Sequence, residues 1–202
     1  VYPRAIKSIK PIVNEIVTMY QGDSKQAQLM AEKYSDITIA RDLNDSIVEE
    51  HRNDLIDASN EEWIIIIDPD EYMLPDGCKN LLYFIGETYV PHSYYYNVDG
   101  FNLKRYNICY DDEHELRVGY LYPEMMLRAF RNYGRYTGRI HEPPRGLRKV
   151  TDVDVTLIHD TTYDSEEEVQ RTLDLYKKYE TAIGFDNPWR VKNGNKEKNS
   201  DS

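Results

Sequence analysis

Along the first third of the chain, apolar positions alternate between strand-like and helix-like spacing. Residues 15–19 read as a short apolar strand, Gly22 as a turn, and Ser24 as the N-cap of a helix. Ala27, Met30, Ala31 and Tyr34 of that helix fall at i, i+3, i+4 and i+7, which predicts one buried stripe. Residues 37–40 form a second short strand, and 47–58 a second helix with Val48, Leu55 and Ala58 toward the core. Strand and helix alternating in this way predict a mainly parallel sheet. Trp63-Ile64-Ile65-Ile66-Ile67 then reads as a central strand covered on both faces, because β-branched residues follow one another without a polar break. It stops at Asp68-Pro69-Asp70-Glu71.

The second half carries a more antiparallel signature. A short helix is expected over 79–85, an extended segment over 94–106 interrupted at Asp99-Gly100, and a strand pair over 124–130 and 135–140. A polar loop at 111–115 separates the extended segment from that pair, and a last strand over 153–158 ends at His159. Ser165-Glu166-Glu167-Glu168 is a capping box that opens a helix with Val169, Thr172, Leu173 and Tyr176 as its stripe. The whole predicts one α/β domain over 1–191, with a mixed central sheet flanked by helices. The segment 192–202 has no large apolar side chain and is expected to be a disordered tail.

Composition narrows the function classes. A net charge of −11 argues against a nucleic-acid binder built on a broad basic patch. The longest apolar run, residues 63–67, is far short of the roughly 20 residues a membrane span needs. Cys78 and Cys109 show no disulfide or zinc spacing, so a reducing, cytoplasmic setting is expected. Tyrosine supplies 18 of the aromatic residues. A phenol can fill a core or offer its hydroxyl at the edge of a sugar site, although Tyr94, Tyr95 and Tyr96 read first as strand formers.

The candidate chemistry gathers where the isoleucine strand ends. Asp68, Asp70 and Glu71 crowd three carboxylates into four residues, which repel unless a cation or a hydrogen-bond network neutralises them; oxygen ligands suit Mg2+ or Mn2+. In open α/β sheets this strand end is where ligands bind. His159, at the end of another strand, is a candidate third metal contact. Arg52, Arg128 and Arg131 carry forked donors suited to phosphate oxygens. Glu142 lies beside His141 and ahead of Pro143 and Pro144, which stiffen its loop, and it is a candidate general base; an ion pair with Arg139 or Arg145 is the alternative use of that carboxylate.

These motifs, taken in order, resemble those of family 2 glycosyltransferases of the GT-A (Rossmann-like) fold. The resemblance runs over roughly residues 4–180 and is carried by EIVTMYQGDSKQAQLMAEKY at 15–34, Arg52-Asn53, WIIIIDPDE at 63–71, Phe130-Arg131-Asn132, Gly138-Arg139-Ile140-His141-Glu142 and His159. It implies a nucleotide-sugar donor, a UDP-sugar above all, and a glycan, lipid or protein acceptor. It further implies a metal held through the Asp68-x-Asp70 motif, inversion at the anomeric carbon, and a catalytic carboxylate, here Glu142. Gly22, Arg52, Asn53, Asp68 and Arg131 would face the donor, and Asp68, Asp70 and His159 the metal. Two departures stand out. Tyr20 and Lys25 occupy positions where the family usually has acids, and the family's first strand would precede Val1, so the chain reads as a fragment or processed product. A catalytically silent, glycosyltransferase-like binding module is the alternative.

Overall fold

The structure, a computed structural model, describes residues 2–42, 48–110, 116–118, 124–137 and 143–160. By its internal contacts the chain divides into Val1–Thr162 and Tyr163–Ser202, and every described residue belongs to the first unit. The capped helix expected from Ser165 and the 192–202 tail lie outside the described residues.

Helix α1 (Tyr2–Ile9) runs through a short 3-10 turn into strand β1 (Val17–Gln21), helix α2 (Lys25–Tyr34) and strand β2 (Ile37–Arg41). Helix α3 (Val48–Ala58) leads to β3 (Trp63–Ile65), β4 (Glu71–Met73) and α4 (Pro75–Glu87). The long strand β5 (Gly100–Tyr110) is followed by β6 (Leu116–Val118), β7 (Glu124–Arg131) and β8 (Val150–Asp160). β1 and β2 pair in parallel around α2, whose start is capped as expected: Ser24 Oγ accepts from the Ala27 amide at 3.2 Å. Ala31 is the fully buried residue of its stripe.

The remaining strands form a curled mixed sheet in the order β3-β7-β5-β8-β4, with β6 on β5. β5 and β8 run parallel at its centre, and the other pairs are antiparallel. The fold is therefore mixed α/β. β3 is an end strand of this sheet rather than a central one, yet its faces behave as expected. Ile64 and Ile66 enter one core with Ile56, Phe130 and Tyr136, while Trp63, Ile65 and Ile67 pack on the other, around Leu81, Phe101, Leu103 and Leu157. An unbroken apolar run reports that both faces are covered; it says nothing about which edge carries a hydrogen-bonded neighbour. Phe101 is fully buried and stacks on Trp63 with ring centroids 5.4 Å apart, a placement worth about 1.5–3 kcal/mol in burial.

Three further expectations are corrected. α4 begins at Pro75, because proline at the first helical position needs no amide partner. Tyr94, Tyr95 and Tyr96 lie in turns rather than a strand, with Tyr94 76% exposed. Strand β5 starts only at Gly100, where a Cβ would come within 2.9 Å of Leu127 Cδ1 and 3.2 Å of Leu147 Cδ1, so a larger residue would have to displace those leucines. Of the strand expected over 135–140, residues 138–140 lie outside the described residues; Arg135 forms an isolated antiparallel bridge to Arg145. Among the described residues no helix is long and apolar enough to cross a membrane.

Candidate functional site

The site is built on the turn between β3 and β4. The Glu71 amide donates to the Asp68 carbonyl at 2.9 Å, and the Glu71 carboxylate accepts from the Asp68 amide at 3.0 Å, which closes the Asp68-Pro69-Asp70 turn from both sides. β4 then pairs with β8 so that Glu71 stands opposite His159, and the Asp160 amide donates to the Asp70 carbonyl at 2.9 Å. This register brings together two side chains 89 residues apart in sequence: His159 Nε2 lies 3.2 Å from Asp70 Oδ2. On the other side of the ring, Nδ1 is 2.7 Å from Asn107 Oδ1. With the proton on Nδ1, facing the Asn107 oxygen, the Nε2 lone pair points at the carboxylate. Two electron-pair donors facing each other require a proton or a metal cation between them. The pair is accessible, with Asp70 43% and His159 19% exposed.

Asp68 has different company. Its Oδ1 receives Arg52 Nη2 at 3.2 Å and its Oδ2 receives Arg128 Nη2 at 2.8 Å. The same Arg128 nitrogen donates to Glu71 Oε1 at 2.5 Å, and Arg105 reaches Glu71 at 3.6 Å and Glu124 at 2.6 Å. Arg128 and Glu71 are almost wholly buried. Burial works to raise the Asp68 carboxyl, but Arg128 and Arg52 outweigh it and hold the group down at about 2. Burial pushes Glu71 up, helped by the charge of Asp68 and opposed by Arg128. Burial would lower the Arg128 guanidinium, yet Asp68 and Glu71 keep it raised and charged. Its Nε is buried with no hydrogen-bond partner among the described residues.

Tested against a divalent ion, these residues fit in part. Asp70 and His159 offer two converging ligands, and adjacent ligands of an octahedral ion at about 2.1 Å lie about 3 Å apart. Asn107 supplies the outer hydrogen bond that fixes a metal-binding imidazole. Asp68 does not fit as an equal ligand, because each of its oxygens already meets a guanidinium. Accordingly, no group of three or more His, Cys, Asp and Glu side chains among the described residues is placed to hold a metal.

The other expected site residues are dispersed. Arg52 joins the cluster through Asp68 and lies over the Tyr136 ring at 5.3 Å. Asn53 clamps the backbone of Tyr136, donating to its carbonyl at 2.8 Å and accepting from its amide at 2.9 Å. Arg131 belongs to the opposite end of β3, opposite Trp63. There it pairs with Glu62, donates to Tyr89 and Thr88, and stacks on Trp63 and Tyr89. Asp68 lies five residues further along the chain than Trp63, beyond the end of β3 at Ile65. Arg128 is sealed in the interior, which removes it as a direct phosphate donor. Gly22 ends β1 and donates its amide to the Arg41 carbonyl at 2.8 Å. Glu142 and His141 lie outside the described residues. Sequence reasoning missed Arg4, Arg105, Asn107 and Tyr136; the alternation along β5 was the one signal that pointed Arg105 and Asn107 to a common face.

A pH dependence follows from Asp68. Its carboxyl sits lower in the folded chain than in the unfolded one, so the stability it contributes is complete above about pH 4 and is lost as the pH falls through about 2. The contribution is about 2 kcal/mol. Urea unfolding between pH 5 and 2 is expected to show a steeper fall for the natural chain than for Asp68→Asn; equal slopes would refute the assignment.

Comparison with models of known protein families finds none that matches this chain, and none of the curated proteins searched matches it.

Proposed function

We propose that the chain is a metal-dependent glycosyltransferase that moves a sugar from a nucleotide-sugar donor to an acceptor nucleophile with inversion. The observation that carries this reading is the Asp70–His159 pair, open to solvent at the end of the buried isoleucine strand, in a sequence whose motifs resemble that family. Asp70 and His159 would hold Mn2+ or Mg2+, which when bound supplies Lewis-acid stabilisation of the leaving diphosphate. Asn107 Oδ1, 2.7 Å from Nδ1, would favour the tautomer that leaves Nε2 to ligate. The Arg128, Glu71, Asp68 and Arg52 network stiffens the turn beneath Asp70, so the carboxylate meets its ligand preorganised. Glu142 is the proposed base that takes the acceptor proton.

Calorimetry with UDP and Mn2+ tests the reading. Asp70→Ala and His159→Ala are each expected to weaken Mn2+-dependent UDP binding by at least about 100-fold, roughly 2.7 kcal/mol. The melting temperature should hold within a few degrees, because Asp70 is exposed and stands apart from the buried network. Unchanged binding in Asp70→Ala would sink the metal assignment. One observation favours the second reading, a silent binding module: Asp68 is engaged by two arginines, while Tyr20 and Lys25 stand where acids are usual. Absence of UDP binding by the natural chain with Mn2+ would decide for that module.

A further inference from the structure

Helix α1 and the turn after it carry Arg4, Lys7 and Lys10 with no acid before Glu15, in a chain of net charge −11. α1 is fixed beside the site: Ser8 Oγ accepts from the Met73 amide of β4 at 3.1 Å, and the Ser8 carbonyl receives the Cys78 thiol at 3.2 Å. Arg4 thereby reaches the acidic turn. Its guanidinium carbon lies over Tyr72, 3.5 Å from the ring centroid, and the guanidinium is 3.5 Å from the Asp160 carboxylate, while the side chain stays 56% exposed. Arg4 also lines both of two neighbouring hollows. One, of about 140 Å³, is bounded by Arg4, Pro69, Asp70, Glu71, Tyr72 and Asp160. The other is an open depression of about 600 Å³ bounded by Pro3, Arg4, Lys7 and Ser8.

We propose that Arg4 is a diphosphate-binding residue, its fork facing an anion that lies between the Asp70 hollow and the basic depression. The proposal rests on the glycosyl-transfer reading for the cation at Asp70 and His159. Chemistry selects the ligand. A lone anion in the smaller hollow would meet Asp70, whose charge repels it; Asp160 is paired with Arg4 and Glu71 with Arg128. A diphosphate accompanied by a divalent ion meets positive charge on both sides, from the ion and from Arg4. Stacking on Tyr72 holds the guanidinium in one orientation before the ligand arrives, which lowers the entropic cost of the contact. A planar fork also matches two phosphate oxygens at once, as an ammonium does not.

The test is calorimetry on the full chain with inorganic pyrophosphate, with and without Mn2+, and with Mn2+ alone. The natural chain is expected to bind pyrophosphate at least tenfold more tightly with Mn2+ than without. Arg4→Ala is expected to weaken Mn2+–pyrophosphate binding at least tenfold and to leave the affinity for Mn2+ alone unchanged. Arg4→Lys, which keeps the charge but loses the fork, should fall between. Melting curves confirm that each variant is folded. Arg4→Ala within twofold of the natural chain overturns the proposal, as does an equal loss of Mn2+ affinity, which would make Arg4 a support for the metal pair. Failure of the natural chain to bind pyrophosphate in either condition also overturns it. Binding that needs Arg4 but neither Mn2+ nor Asp70 would uphold Arg4 and overturn the metal reading instead.

Discussion

Replacement of Arg128 by alanine is expected to cost about 3–5 kcal/mol of stability, enough to unfold much of the population at physiological temperature. The loss comes from what remains rather than from what is removed. Arg128 is 2% exposed and joins Asp68 at 2.8 Å to Glu71 at 2.5 Å; without it, two carboxylates face each other across the turn, and buried Glu71 keeps the Asp68 amide and, as its cation, the more distant Arg105. The size of the effect therefore depends on Glu71 staying charged. A double variant, Arg128→Met with Glu71→Gln, removes the buried acid together with its partner and is expected to be markedly more stable than Arg128→Ala, since Asp68 keeps Arg52. Urea midpoints of the two variants check this. A single-variant loss under about 1 kcal/mol would show that water, not protein, satisfies Glu71.

Glu142→Gln is expected to lower sugar transfer by about 100-fold or more while donor affinity survives, because the amide keeps shape and hydrogen bonding but cannot take a proton. The structure fixes both ends of the segment that carries it. Tyr136 is 5% exposed and pinned by Asn53, and Arg135 and Arg145 exchange backbone hydrogen bonds of 3.0 and 2.8 Å. Tyr136, six residues before Glu142, in turn lies against Arg52, which holds Asp68. The rival role for Glu142, an ion pair with a neighbouring arginine, makes the opposite forecast: a lower melting temperature with turnover per folded molecule intact. Transfer within about threefold of the natural chain, under roughly 1 kcal/mol in barrier height, would end the base assignment. Turnover, donor affinity and melting temperature on this one variant separate the two.

Much of the fold was legible because its signals are local. A serine three residues ahead of the amide it caps, apolar positions repeating every third or fourth residue, and an unbroken β-branched run each act over a few residues. The structure returns them as the Ser24 cap, the buried Ala31 and the two-faced β3. The turn at Asp68-Pro69-Asp70 was legible for the same reason. The three tyrosines at 94–96 misled because strand propensity is a preference for a half-buried pleated surface, and here the chain turns in solvent instead.

The sequence alone determined the α/β class, the strand ending in acids and His159 as a candidate partner for that edge. Tertiary structure decided which acid does what. Arg128 meets Asp68 across 60 positions and His159 meets Asp70 across 89, distances in sequence that only the pairing of β3 with β7 and of β4 with β8 can close. Strand register is a global property, set by how whole faces bury against one another. A shift of one residue would turn these side chains to the other face of the sheet and leave the same motifs with neither their arginines nor their imidazole.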